Sequence, residues 1–274
     1  MFRVHPIAIE LGPLTIHWYG VFIALAFIAG VWTASRRGLR NGIKPEWISD
    51  LAVWLLLGGI VGARLLHVTT YWESDFADRP LWEVIAIWKG GLVFYGSLIG
   101  AALAGGVFVK VKKLSFLKLA DALAPSIALG SVFGRIGCLM TGCCFGKVCS
   151  LPWAVQFPAG SLAADEHEKF GRIAAHAPSL HVHPTQLYDS LLNLALYLGL
   201  AWLYRRKKFD GQVFGVFLIA YAVMRSAVEL FRGDYGTHQL GAFTPAQLVS
   251  VVILGAGIAM LVWLPRHSTK SGHL

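Results

Sequence analysis

Arg135 lies deep in an apolar run, Ala128 to Gly146, among Gly130, Gly134, Gly137, Gly142 and Gly146; Cys138, Cys143, Cys144 and Cys149 fall within the run or just beyond it. An arginine at the centre of a hydrophobic segment costs on the order of 3 kcal/mol to insert, so it is kept where it meets a cavity, a carboxylate or an anionic ligand. Arg135 is therefore a candidate contact for an anion. The plainer alternative is a structural arginine paired to a membrane carboxylate or reaching for the nearby interface. Glycines can expose backbone N–H groups to a phosphate, and an arginine beside such amides makes a seat for a phospholipid headgroup. Glycines also let helices approach closely, and that packing role competes with the ligand role here.

The other polar residues in apolar sequence are few: His17, Tyr19, Arg64, Asp121, Gln186, Tyr188, Asp189, Tyr221, Arg225 and Glu229. Arg225 and Glu229 are four apart, so they share a helical face and can pair, either to neutralise each other or to set up a site. For Asp121 and Arg64 a structural ion pair is the expectation. A second glycine patch, Gly90 to Gly100, carries Tyr95.

These residues must be positioned by membrane helices. Of 274 residues, 56% are hydrophobic and 14% charged, and the mean hydropathy is +0.60; soluble domains carry roughly 25% charge. The composition predicts an all-α, polytopic membrane protein, one transmembrane domain over 1–274. Seven spans are expected, near 14–34, 47–68, 91–109, 115–139, 185–204, 212–232 and 244–264, each about the ~20 residues a crossing needs.

The net charge of +9 sits in short clusters between apolar stretches, which the positive-inside rule explains without nucleic acid. Arg36, Arg37, Arg40 and Lys44 follow the first span. Lys110, Lys112, Lys113 and Lys118 flank the join of the third and fourth, Arg205 to Lys208 follow the fifth, and Arg266 and Lys270 close the chain. The opposite loops carry fewer, among them Arg3, Arg79 and Lys89. This places the N-terminus outside and the C-terminus in the cytoplasm. The opening Met1 to Pro6 lacks the pattern of a cleavable signal peptide, so the first apolar stretch is expected to remain.

Two loops stand out on the outer side. Tyr71 to Lys89 mixes Trp72, Trp82 and Trp88 with Glu73, Asp75, Asp78 and Glu83, a composition suited to lying along the outer interface. The polar insertion 147–183 should form a small element over the mouth of the bundle. The cysteines would then face an oxidising compartment, where a disulfide within the set is the leading expectation, packed thiols the next, and a metal site the last, because the spacing lacks CxxC pairs.

With these residues in view the chain resembles the prolipoprotein diacylglyceryl transferase family. The resemblance rests on His17-Trp18-Tyr19-Gly20, the Gly90-to-Gly100 patch, Gly134-Arg135-Ile136-Gly137 with Gly142 and Gly146, His183-Pro184-Thr185-Gln186-Leu187-Tyr188, and Tyr221 through Arg225 and Glu229 to Arg232. It implies a seven-helix enzyme of the bacterial inner membrane. Such an enzyme transfers the diacylglyceryl group of phosphatidylglycerol to the lipobox cysteine of a preprolipoprotein signal peptide, releasing glycerol 1-phosphate, with no cofactor, metal or nucleic acid. By the same resemblance, phosphatidylglycerol is bound by Arg135, Tyr19, Gly134, Gly137, Gly142 and Gly146, and the chemistry falls to Arg225, Glu229, Tyr221 and Tyr95.

The sequence departs from the family pattern twice. Tyr95 stands where the family usually has a histidine, and Cys138 to Cys143 replaces a stretch with two asparagines and a glutamate. A tyrosine with an ordinary pKa near ~10 is a poor base at neutral pH. Two other readings are therefore carried: a paralogous lipid-modifying enzyme with another phospholipid or acceptor, and a non-catalytic phospholipid-binding or transport protein.

Overall fold

The computed structural model describes residues 6–12, 14–77, 79–234 and 245–268; Arg3, Asp78, Thr244 and Lys270 of the sequence reading lie outside these. The chain divides into two compact units, 1–34 with 120–274, and 35–119. The architecture is mainly helical. Among the described residues the long helices are α1 (Trp18–Gly38), α2 (Pro45–Thr70), α3 (Phe94–Val111), α4 (Phe116–Thr141), α6 (Thr185–Tyr204), α7 (Gln212–Glu229) and α8 (Pro245–Ser268), with the short α5 at Leu162–Lys169.

Five stretches, Trp18–Asn41, Pro45–Thr70, Phe116–Thr141, Gln212–Glu229 and Gln247–Arg266, are long and apolar enough to cross a membrane. The apolar part of α3, Tyr95–Val111, is shorter. In α6 the first turns carry Gln186, Asp189, Ser190 and Asn193, all buried.

The expected first span is displaced. Residues 14–17 belong to a β-hairpin, β1 (Ile7–Leu11) pairing antiparallel with β2 (Leu14–His17), with Glu10 opposite Thr15. The physical reason is the alternation Leu14, Thr15, Ile16, His17, which has the period of two that a strand requires. The helix begins only at Trp18.

In the unit 35–119, α2 and α3 cross at their glycines. A Cβ added at Gly62 would strike the Gly96 carbonyl oxygen, one at Gly96 the Gly62 carbonyl, and one at Gly100 the Gly58 carbonyl. Two small-xxx-small pairs thus bring main chain against main chain, the arrangement that lets membrane helices pack closely. Arg64, expected in an ion pair, is instead held by backbone. Its Nε donates to Val84 O (2.7 Å), Nη2 to Glu83 O (2.6 Å), and Nη1 to Gly90 O (2.8 Å) and Gly91 O (3.1 Å). Four carbonyl dipoles satisfy the buried guanidinium and tie the Tyr71–Lys89 loop to α2. That loop is made of short helical turns, Trp72–Phe76, Leu81–Ile85 and Ile87–Lys89.

In the other unit, fully buried Asp121 of α4 accepts from Lys207 Nζ (3.0 Å), Gly211 N–H (2.9 Å) and Phe214 N–H (2.9 Å). The structural pair expected for Asp121 therefore exists, with Lys207. Its carboxylate also caps α7, whose own N-cap residue Gly211 has no side chain to do so.

The insertion 147–183 builds a small core on the end of α4: Phe157, Ala163 and Val182 pack with Leu139 and Phe145. His167 of α5 is buried, rests edge-on against Phe145, and its Nδ1 accepts from the Leu180 N–H at 3.1 Å. Burial, with Arg172 nearby, holds its pKa below the ordinary 6.5. A depressed histidine pKa means the unfolded chain binds the extra proton more readily. The fold should therefore be at full stability above about pH 6.5 and lose it as pH falls through the lower, folded value. Thermal midpoints from pH 8 to 5 check this: wild type should fall with acidification, and His167→Gln should flatten the fall.

Candidate active site

The site grows from the way α4 ends. Gly142 takes a left-handed φ of +72°, its N–H bonds Leu139 O (3.3 Å), and the Cys143 N–H bonds Cys138 O (3.2 Å). This pair of bonds is a Schellman cap with Gly142 just past the helix, and it folds the residue after the glycine back over the last turn. Cys143 is thereby laid over Cys138. Cys144 follows with φ +58°, a conformation uncommon for any residue but glycine. Two buried α6 side chains secure the turn: Gln186 Nε2 donates to Cys143 O and Thr185 Oγ1 to Cys144 O, each at 2.7 Å.

All four cysteines are free thiols, so the disulfide expected within the set is absent from the structure. Instead Cys138, Cys143 and Cys144 gather, with their sulfurs within 4.8 Å of one another. Thiol hydrogen bonds from Cys138 and Cys143, and then Arg232 and Arg135, pull the Cys144 thiol below the ordinary range. The same thiol contacts push Cys143 up.

Arg135 lies about two turns before the cap glycine. Its Nε meets Asp189 Oδ2 of α6 at 2.7 Å, and Asn193 Nδ2 donates to Asp189 Oδ1 at 2.9 Å. Among the described residues its two terminal nitrogens have no hydrogen-bond partner. Tyr19 packs on the same stretch: a Cβ at Gly137 would come within 3.1 Å of its ring. At Gly134 a Cβ would meet nothing within 4 Å.

The glycine amides are used differently from expectation. Gly134 and Gly137 lie within α4, where helix carbonyls take the N–H groups. Gly142 donates to Leu139, and Gly146 to His183 O (3.0 Å). Gly146 is a close-approach position, since a Cβ there would run into His183 and, at 2.9 Å, the Phe231 carbonyl. None of the four presents a free amide for a phosphate seat; they bring chains together. Segment 145–147 is bonded on one side to His183 and on the other to Phe231 and Gly233, which brings Arg232, paired to Asp234 at 2.5 Å, beside the cysteine turn.

Arg225 bonds Glu229 through Nη1 and Oε2, as the four-residue spacing suggested, and Tyr221 stacks on Phe217 of the same helix at 5.8 Å. Glu229 is buried, and its other oxygen, Oε1, has no hydrogen-bond partner among the described residues. Tyr95 belongs to the other unit, is the second residue of α3 and is exposed. Four residues have roles that the sequence did not assign: Asp189 as counter-ion of Arg135, Gln186 and Thr185 as clamps on the turn, and Arg232 beside it. Asp189 was visible as an acid in apolar sequence; the pairing was not.

The comparisons with known proteins bear on this arrangement. A family model described as prolipoprotein diacylglyceryl transferase matches residues 6–263. The chain belongs to the prolipoprotein diacylglyceryl transferase family. A relative from Synechococcus elongatus, named phosphatidylglycerol–prolipoprotein diacylglyceryl transferase, is 37% identical over 265 residues, covering 94% of this chain and 87% of the relative. A Chromohalobacter salexigens protein of the same name is 35% identical over 277 residues, covering 99% and 96%. In this member of the transferase family, the arginine of α4 is met by an aspartate from α6 and flanked by a three-cysteine turn.

Proposed function

We propose that the chain transfers the diacylglyceryl group of phosphatidylglycerol to the lipobox cysteine of a preprolipoprotein, the first step of lipoprotein maturation. The acceptor sulfur attacks the glyceryl carbon as a thiolate. The carbon–oxygen bond to phosphate breaks, and glycerol 1-phosphate leaves with the electron pair. Such a displacement needs a cation at the phosphate and an acceptor for the thiol proton.

The observation that carries the reading is the state of Arg135. Asp189 meets Nε and so orients the side chain, while the terminal nitrogens, without a hydrogen-bond partner among the described residues, form a fork for the two non-bridging oxygens of a phosphodiester. The open space at Gly134 and the Tyr19 ring at Gly137 give the headgroup room and a wall, with Gly142 and Gly146 shaping the turn behind. Arg225 neutralises charge growing on the leaving phosphate. Glu229 holds Arg225 with one oxygen and takes the thiol proton on the other, which has no partner among the described residues. Tyr221 lines this helix face.

The seven long helices all span the bacterial inner membrane as one domain over 1–274, with the N-terminus periplasmic, the C-terminus cytoplasmic and the 147–183 insertion outside. The test uses purified protein in detergent, phosphatidylglycerol and a lipobox peptide, with mass spectrometry on the peptide cysteine. The expected result is a diacylglyceryl adduct on sulfur, with glycerol phosphate released only when peptide is present. An unmodified peptide with phosphatidylglycerol still bound would overturn the transferase in favour of a binding protein.

A further inference from the structure

The three thiols at the end of α4 have no task in the reaction above, yet their placement is over-determined. The Schellman cap sets Cys143 over Cys138, and the left-handed backbone at Cys144 turns a third sulfur toward the same point. Gln186 and Thr185, both almost fully buried, fix the two carbonyls of the turn. A tetrahedral zinc–thiolate centre has Zn–S near ~2.3 Å and hence S···S near ~3.8 Å. Sulfurs already within 4.8 Å of one another reach that geometry by side-chain rotation of under about 1 Å.

From this geometry we propose that Cys138, Cys143 and Cys144 form a site for a thiophilic d10 cation of the zinc type, with a fourth position open to an external thiol. The donor set selects the ion: three soft thiolates favour zinc-like and copper(I)-like cations over magnesium or calcium. The charge fits as well. Three thiolates and a divalent cation sum to one negative charge, and two arginines lie on the segments that flank the turn, Arg135 on α4 and Arg232 on the segment bonded to 145–147. No fourth histidine, cysteine or carboxylate joins the group among the described residues. Three protein ligands and one exchangeable position is the pattern of a reactive rather than a closed structural zinc centre.

Each protein thiol gives its proton to solvent on binding, and water fills the fourth position. An incoming thiol displaces that water, gives its proton to a base (Glu229 when the thiol is the lipobox cysteine, solvent otherwise) and remains metal-bound as a thiolate, because a coordinating thiol is deprotonated outright. No electron is transferred. That the incoming thiol is the lipobox cysteine rests on the transferase reading; the metal site itself does not.

Reduced, purified full-length protein titrated with Co2+ tests the site. One equivalent should give a thiolate-to-cobalt charge-transfer band that Zn2+ bleaches. The band should be lost in Cys138→Ser and Cys144→Ser and kept in Cys149→Ser, whose sulfur lies outside the group. Because a variant can misfold, the wild-type titration is decisive alone: no band from the fully reduced protein overturns the site. A band that survives Cys144→Ser in folded protein also overturns it. Adding a lipobox peptide should strengthen and shift the band, and the Cys→Ser peptide should not. An unchanged spectrum overturns the thiol exchange. Failure of the transferase reading is separate, appearing as an unmodified peptide in the mass assay whatever the spectrum does.

Discussion

Arg135→Lys is expected to lower the rate of diacylglyceryl transfer by about 100- to 1,000-fold, the usual cost of removing a donor aimed at developing charge. Thermal stability should stay near that of wild type. The lysine ammonium can still meet Asp189, so the buried carboxylate keeps a partner, but the planar fork is gone. Arg135→Ala makes a different experiment. It strands Asp189, which is 6% exposed, and breaking one side of a buried pair costs about 3–5 kcal/mol. Loss of activity in that variant would mix binding with folding. Arg135→Ala with Asp189→Asn should restore most of the stability and none of the activity. Single-turnover rates on the lipobox peptide and thermal midpoints in detergent separate the two. Near-wild-type turnover in Arg135→Lys would remove the guanidinium from the reaction.

A large effect on stability, with no direct effect on the chemistry, is expected at Asp121. One carboxylate there holds Lys207 and both amides at the start of α7. Lys207 is pushed above its ordinary value, since its bonds to Asp210 and Asp121 outweigh its desolvation. Asp121→Ala leaves two helix-end donors without their acceptor at a fully buried position and Lys207 with Asp210 alone, a loss of about 3–5 kcal/mol. Asp121→Asn keeps one acceptor oxygen and should cost less. Hydrogen exchange should show the damage at the first turn of α7 before anywhere else. A thermal midpoint unchanged in Asp121→Ala would mean that water replaces the cap.

How much of this was legible beforehand depends on how local each signal is. The Arg225–Glu229 pair could be read directly, because four residues make one helical turn and the bond needs nothing from the rest of the chain. The long helices could be read from their apolar runs. Arg64 could not: its acceptors are carbonyls 19 to 27 residues later, and a backbone carbonyl has no signature in a sequence. The cysteines misled for a related reason. Counting spacings looks for pairs along the chain, whereas the cap after Gly142 folds residue 143 back over 138. That the Gly142 and Gly146 amides are already bonded could not be read either, because sequence shows that an amide exists, not whether another carbonyl has taken it. The hairpin at the N-terminus was hidden by its own brevity beside a longer apolar run.

The crossing of α2 and α3 has a consequence for how this sequence can drift. At Gly62, Gly96 and Gly100 the atom that a new side chain would meet is main-chain carbonyl on the facing helix. In an ordinary core a larger residue can be accommodated by a smaller neighbour, because both are side chains. Here the neighbour has nothing to trim. A substitution at one of these glycines therefore has no compensating substitution across the interface, and reversion to glycine is the only local repair.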